Sequence, residues 1–212
     1  MALAVLGVAF ALYTQAVAAG VLGPLDLAVA RAFRSAWVPA LLPLAQAVAV
    51  AGGPEVTALL TAGLAGLFWR LRFRGEMVAL LAYPLVLVLE SIYKWTLQHP
   101  PPSLAFAHPD GPSLVTMLRD GTLTLNGSYP SGHMMRTVLV YGLGAFVVRR
   151  LAAPGLARTL AAPAAAIVVG LMALDRVYLG VHWQSDIVGG LLLGGAALAG
   201  AIAWLDRPRA TT

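Results

Sequence analysis

The sequence predicts an all-α fold, a polytopic membrane bundle of about six transmembrane helices with short interfacial helices near the N-terminus. Hydrophobic residues fill 59% of the 212 positions and charged residues only 11%, whereas soluble domains carry about a quarter of their residues as charges. Mean hydropathy is +0.81. Apolar runs of roughly 20 residues, the length that crosses a bilayer as a helix, recur along the chain.

The first 53 residues are expected to hold one span and the interfacial pieces. Residues 2–22 are apolar and lack the basic start of a signal peptide, which favours a retained first helix. The small residues at 16–18 leave cleavage open as the alternative. Residues 26–34 form a short amphipathic pattern typical of an interfacial helix. Residues 37–50 are apolar but hold two prolines, which indicates an interfacial or re-entrant piece.

Five further spans and one long polar segment follow. The predicted spans are residues 54–69, 76–97, 131–148, 159–174 and 183–205. The polar segment, residues 99–129, separates the third span from the fourth and is rich in Pro, Gly, Ser and Asp. We interpret residues 1–212 as a single domain whose core, residues 54–205, bears the motifs. Six spans would place both termini on one side of the membrane.

Arginine placement predicts the orientation of these spans. Three groups of arginines fall on one side: residues 70, 72 and 74, then 149, 150 and 158, then 207 and 209. The positive-inside rule makes that side cytoplasmic, so residues 99–129 face outward. High Ala, Arg and Gly with a single lysine is typical of a GC-rich bacterial genome, which indicates a bacterial cell inner membrane. The net charge of +5 does not indicate nucleic-acid binding, because no basic face or aromatic platform accompanies it.

Ionisable residues near span ends require an explanation, because a bilayer makes them costly. Glu90 lies one turn before Lys94, so the two side chains share a helix face. His182 and Asp186 are four residues apart, so the carboxylate can hold one imidazole nitrogen and leave the other as an oriented nucleophile or base. The alternative for Lys94 is a lysine at a helix end that snorkels to the membrane interface. The alternative for His182 and Asp186 is an ordinary polar helix cap.

The stretch YPSGHMMR lies at the start of the fourth predicted span. Pro130 and Ser131 suit the first residues of a helix, and Gly132 lets a ligand approach the backbone. A helix N-terminus is itself an anion site. His133 falls in the same turn and Arg136 shares its face. All these groups fall at the outer ends of spans three, four and six, which predicts a phosphate site with an imidazole nucleophile.

These motifs resemble those of the type 2 phosphatidic acid phosphatase family of membrane lipid phosphatases. That family carries K-x6-R-P, P-S-G-H and S-R-x5-H-x3-D. The second motif is intact at residues 130–133, and the third reads D-R-V-Y-L-G-V-H-W-Q-S-D. Arg176, His182 and Asp186 therefore match at full spacing. Asp175 replaces the serine, and we expect it to hold the neighbouring arginine in place.

The first motif departs from the family pattern. Lys94 is present, but Pro101 occupies the position of the arginine, with His99 two residues before it. Arginine offers phosphate a bidentate fork that neither residue can replace. Arg136 is the favoured substitute, and Arg119 is the other candidate.

The resemblance, which covers roughly residues 55–205, implies a mechanism. His182, oriented by Asp186, attacks phosphorus and becomes a phosphohistidine, while protonated His133 donates to the leaving oxygen and then activates water. The resemblance together with the substitution argument assigns the phosphate oxygens to Lys94, Ser131, Gly132, Arg176 and Arg136. The family uses no metal or other cofactor, and no acidic cluster suited to magnesium lies near these residues in the sequence.

The expected substrate is a membrane lipid that keeps its tail in the bilayer. A polyprenyl diphosphate is favoured, and phosphatidic acid and phosphatidylglycerol phosphate are the alternatives. A lipid-phosphate binding or transport protein on the same scaffold is the main rival, because the first-motif arginine is missing. A vanadate-dependent haloperoxidase is disfavoured because those enzymes are soluble, and a purely structural protein would leave the motifs as coincidence. The sequence does not determine the oligomeric state.

Overall fold

The computed structural model describes residues 1–113 and 127–208, and within these ranges all regular secondary structure is helical. The described α-helices are α1 (Ala2–Ala18), α2 (Gly23–Ser35), α3 (Leu42–Gly52), α4 (Pro54–Arg70), α5 (Ala82–Thr96), α6 (Gly132–Leu151), α7 (Leu156–Tyr178) and α8 (Gln184–Leu205). Two 3₁₀ segments, Pro39–Leu41 and Arg74–Leu81, precede α3 and α5. The predicted all-α membrane fold is confirmed.

Helices stand in all six places where spans are predicted, but the count of six spans is not confirmed. Among the described residues, three helical segments are each long and apolar enough to cross a membrane: Arg74–Thr96, Leu156–Tyr178 and Gln184–Leu205. The bent pairs α1–α2 and α3–α4 raise that number to five if each pair forms one span. Six spans therefore stay a prediction.

Sharp bends separate the N-terminal helices. The axis of α2 turns 87° from that of α1, as expected for a helix that leaves a span and runs across the bundle. Pro54 begins α4 directly after an extended Gly53, and α3 and α4 meet at 43°. A proline at the first helical position is favourable because it has no N–H to leave unpaired. Residues 42–52 thus form a short helix in the region predicted to be interfacial or re-entrant.

Helix α6 is the centre of the bundle. Nearly all its residues from Gly132 to Val140 are buried, and it contacts α3, α4, α5, α7 and α8. A helix surrounded on all sides belongs in the core of a helical protein. Since α6 begins where α5 and α7 end and α8 begins, its N-terminus is enclosed by the motif-bearing ends of its neighbours.

Candidate active site

Four helix ends bring the predicted site residues together. Lys94 lies in the last turn of α5, Ser131 caps α6, Arg176 lies in the last turn of α7 and Asp186 lies in the first turn of α8. The backbone N–H of Ser131 donates to the Asp186 carbonyl at 3.0 Å, which ties the starts of α6 and α8. The structure thus places the three motifs at one end of the bundle.

His182 and Asp186 form the pair that their spacing predicts. His182 Nδ1 lies 3.1 Å from Asp186 Oδ2, and the same oxygen accepts the Trp183 backbone N–H at 2.9 Å. Asp186 is fully buried. Its carboxylate therefore caps α8 and orients the imidazole, leaving Nε2 of His182 available for chemistry.

Burial favours the neutral form of His182, which lies in the turn between α7 and α8. Burial is the largest influence and lowers the pKa of His182 below its ordinary value, although Asp186 acts in the opposite direction. Desolvation disfavours the charged imidazolium. A neutral imidazole with one nitrogen fixed is the form that attacks phosphorus.

His99 also lies close to Asp186, although the sequence does not assign His99 to the site. His99 Nε2 lies 3.4 Å from the second carboxylate oxygen, Asp186 Oδ1, which is buried and has no hydrogen-bond partner among the described residues. His99 Nε2 also lies 3.4 Å from the Ser185 hydroxyl, which donates to Asp26 Oδ2 at 2.7 Å. A chain of polar groups thus runs from Asp26 on α2 to the His182–Asp186 pair. Asp26 is only 3% exposed, so the interfacial pattern predicted for residues 26–34 does not describe this position.

Glu90 forms ion pairs with both cations expected near the start of α6, Lys94 and Arg136. Lys94 Nζ lies 2.6 Å from Glu90 Oε1, and Arg136 Nη1 lies 2.7 Å from Glu90 Oε2. The predicted Glu90–Lys94 contact is therefore present. A Cβ at Gly132 would overlap the Glu90 carboxylate, so only glycine lets Glu90 lie against this helix end. Arg136 is 5% exposed, and its Nε atom has no partner among the described residues.

Arg176 is held by two aspartates. Its Nε donates to Asp175 Oδ2 at 2.9 Å, which confirms the expectation that Asp175 fixes this arginine. Its Nη1 and Nη2 donate to the two oxygens of Asp110 at 2.9 and 3.0 Å. Such a bidentate fork is the arrangement in which arginine also binds phosphate. Arg176 is fully buried, whereas the Asp110 side chain is 40% exposed.

The segment that carries Asp110 is tied to the bundle. The His108 N–H donates to the Leu179 carbonyl at 2.8 Å, and the His108 ring stacks on Trp37 at 3.4 Å. Gly180 adopts a φ of 64°, and a side chain there would overlap the Phe106 backbone. Residues 106–113 thus pack against α3 and the end of α7, and Asp110 among them contacts Arg176. Arg119, the other candidate for the missing arginine, falls outside the described residues.

Ser131 and His133 begin the central helix beside these groups. Ser131 is fully buried, and its hydroxyl oxygen lies 3.5 Å from the Met134 N–H as the N-cap of α6. His133, in the first turn, lies within electrostatic range of Arg176, Arg136, His182 and Lys94. The arrangement offers an anion the helix N-terminus and three cations, with two imidazoles close by.

The fold and the clustered motif residues define a helical membrane protein with cations and imidazoles gathered at one end of the bundle. The chain belongs to the PAP2 superfamily, whose family model matches residues 75–210. Phosphatidylglycerophosphatase B from Bacillus subtilis (strain 168) is 38% identical over 68 residues, 32% of this chain and 34% of that protein. The match thus spans about a third of the length of this curated relative.

The fold is also that of a solved relative. The crystal structure of a transmembrane PAP2-type phosphatidylglycerolphosphate phosphatase from Bacillus subtilis matches with a TM-score of 0.81 at 22% identity. The match covers 97% of this chain and 96% of that one. The family resemblance predicted from the motifs is confirmed.

Proposed function

We propose that this chain is a metal-independent membrane lipid phosphatase that works through a phosphohistidine. The observation that carries the proposal is the buried Asp186–His182 pair, which lies beside the N-terminus of α6 and the Arg176 fork. A pure binder has little need of an oriented, neutral imidazole. Because both similar proteins are named as phosphatases of phosphatidylglycerol phosphate, we rank that lipid first among the candidate substrates, ahead of the polyprenyl diphosphate favoured from the sequence. A polyprenyl diphosphate is the second, and phosphatidic acid the third.

The proposed reaction has two steps. Nε2 of His182 attacks phosphorus, the bond to the lipid oxygen breaks, and His133 gives that oxygen its proton. Water then attacks the phosphohistidine, His133 takes the proton of the water, and inorganic phosphate leaves. Asp186 stabilises the imidazolium that forms on His182. Arg176, Lys94 and the N–H groups at the start of α6 stabilise the charge on the equatorial oxygens.

Substrate binding requires an exchange at Arg176. Because Asp110 accepts from both terminal nitrogens of the arginine fork, a phosphate can take the same bidentate position only when the carboxylate moves away. Asp110 lies on the segment of residues 106–113 rather than on a helix of the bundle, and its side chain is more exposed than that of Arg176. It can therefore move away without opening the helix bundle. We propose that the substrate phosphate replaces the Asp110 carboxylate.

Asp110→Asn is expected to lower both KM and the inhibition constant for inorganic phosphate while changing kcat little. The amide competes less well for the guanidinium, and the gain is on the order of tenfold, which corresponds to about 1.4 kcal/mol. Steady-state kinetics with phosphate as inhibitor measures both constants. Asp206→Asn, at the other end of the bundle, is the matched control. A raised KM in Asp110→Asn would show that the aspartate supports the substrate rather than competes with it.

We propose that Arg136 compensates for the arginine that Pro101 replaces by neutralising Glu90. With Lys94 and Arg136 on one carboxylate, the trio keeps one net positive charge. Without Arg136, Glu90 would cancel the charge of Lys94, and the remaining pair would offer the phosphate no net positive charge.

Arg136→Gln is therefore expected to lower kcat/KM by about 100-fold, the scale for loss of one stabilising group at an oxyanion. Adding Glu90→Gln should restore much of that loss, because the carboxylate to be neutralised is gone. The double-mutant cycle reports this coupling directly. Absence of rescue would mean that Arg136 binds phosphate itself. Arg119→Ala is the matched arginine control and should cost much less.

We also propose that the site faces away from the cytoplasm. Arg150 pairs with Asp206, and Arg207 lies over the ring of Trp204, at the end of α6 and α8 remote from the motifs. Leu3 lies beside Gly200, so the start of α1 shares that end with the end of α8. Arginines at this end are the pattern of a cytoplasmic face.

Phosphate release by the purified full-length protein tests the proposed function. The three candidate lipids are offered side by side in detergent with a chelator present, because the described residues hold no group of three metal-ligating side chains. We expect release in chelator, with phosphatidylglycerol phosphate the best substrate. Loss of release that magnesium restores would contradict the metal-free reaction. Tight binding of all three lipids without release would favour the binding protein, a rival supported by the carboxylates already paired with Lys94, Arg136 and Arg176.

A further inference from the structure

A crevice opens at the end of the bundle remote from the catalytic residues. Helices α7 and α8 both pack along α6 but scarcely contact each other, so a wedge remains between them with α6 as its floor. The cavity there measures about 500 Å³. The residues that line it are Gly142, Ala145, Phe146, Arg149, Arg150, Arg158, Ala162, Ala165, Ile202 and Asp206.

The mouth of this crevice carries uncompensated positive charge. Arg150 is engaged, since its Nη1 lies 2.8 Å from both Asp206 Oδ1 and the Leu205 carbonyl. Arg149 and Arg158 have no ion-pair or hydrogen-bond partner among the described residues. Three guanidinium groups thus face one carboxylate. Guanidinium groups bind phosphate oxygens bidentately and are weakly hydrated, so they suit an anionic group at a membrane interface.

The interior of the crevice is apolar. Phe146 and Ile202 form its larger walls, and alanines at 145, 162 and 165 leave the space between them open. A cationic mouth above an apolar floor is complementary to an amphiphile with an anionic head. Basic pockets between transmembrane helices are known to take anionic lipid headgroups. A free phosphate would leave the apolar part of the crevice unused.

We propose that this crevice binds one anionic phospholipid of the leaflet opposite the active site. Its phosphodiester lies between Arg149 and Arg158, and its acyl chains lie on Phe146 and Ile202. The site is separate from the catalytic cluster and does not depend on the proposed phosphatase activity.

Native mass spectrometry and thermal unfolding of the full-length protein in detergent test the site. The probes are phosphatidylserine and phosphatidylcholine with the same acyl chains, and glycerol phosphate as a headgroup without chains. We expect one retained phosphatidylserine and a raised Tm, with neither effect from the other two probes. Arg149→Gln/Arg158→Gln should lose both effects, whereas Arg70→Gln/Arg72→Gln, which removes two exposed arginines at the same end, should keep them.

A substitution that changes no charge distinguishes a specific lipid-binding site from a surface that is merely basic. Ala162→Leu fills the crevice without removing a charge, and Ala166→Leu adds the same bulk to an exposed position of the same helix. We expect the first to lose the retained lipid and the second to keep it, each with a lipid-free Tm near that of the wild type. Equal retention of phosphatidylcholine, or unchanged retention in the arginine double variant, would overturn the proposal. The arginines would then only orient the chain in the membrane.

Discussion

His182→Ala is expected to reduce phosphate release by several orders of magnitude while leaving the helix bundle folded. Nε2 of this imidazole is the proposed attacking atom, and the buried Asp186 carboxylate orients the ring through Nδ1 at 3.1 Å. The measurement is single-turnover phosphate release, with Tm as the check on folding.

His108→Ala is the matched histidine control. His108 belongs to the segment of residues 106–113, and its ring stacks on Trp37. It lies away from the proposed reacting atoms, so kcat should stay within a few-fold of the wild type. A near-normal rate of phosphate release in His182→Ala would show that His182 is not the nucleophile.

Asp186→Asn is expected to produce the second-largest loss. An asparagine can still cap α8 but carries no charge to stabilise the imidazolium, and its amide can favour the wrong tautomer of the ring. The comparable Asp-to-Asn change in a Ser-His-Asp triad lowers kcat by about 10⁴-fold. The loss should appear in kcat more than in KM, because Asp186 is fully buried and is not expected to contact the lipid.

The same variant has a predicted pH signature. Burial lowers the pKa of His182, and Asp186 partly offsets that effect by favouring the protonated ring. Removal of the carboxylate should therefore lower the pKa of His182 further. The nucleophile then stays neutral to lower pH, so the acidic limb of the kcat/KM profile should move to lower pH even as the rate falls. A shift to higher pH would contradict the assignment.

Contacts between residues close in sequence could be predicted, because helix geometry fixes them. The four-residue spacing of Glu90 and Lys94 places both on one face of α5. His182 lies in the turn before α8, and it contacts Asp186 because that carboxylate reaches back over the helix start, where it also accepts the Trp183 N–H. The contact between Asp175 and Arg176 could also be predicted. The two residues are adjacent, and an aspartate near a phosphate site is unfavourable unless a cation pairs with it.

Contacts between distant segments could not be predicted. Asp110 reaches Arg176 across 66 positions, from a segment whose Pro and Gly content gives no periodic pattern to indicate its path. Asp26 reaches Ser185 across 159 positions, and its amphipathic surroundings indicate a membrane interface rather than a buried hydrogen bond. Both aspartates depend on how helices and loops pack, which local spacing does not encode.

The role of Arg136 illustrates the same limit. Its position one turn after His133 correctly indicated a cation near the start of α6. The sequence could not show that Glu90 lies between it and Lys94, because that contact depends on α5 packing against Gly132. We therefore propose that Arg136 neutralises a carboxylate, whereas its sequence position predicts a direct phosphate ligand.

The most direct test of the account is to trap the phosphoenzyme. Wild-type protein and His133→Ala are mixed with phosphatidylglycerol phosphate and quenched in alkali, which preserves phosphohistidine, and the peptides are then analysed by mass spectrometry. The account predicts a phosphoryl group on His182 in the wild type. In His133→Ala, where neither the leaving oxygen nor the water has its proton-transfer partner, the label on His182 should form and decay more slowly. Steady phosphate release with no label on His182, or with the label on another residue, would contradict it.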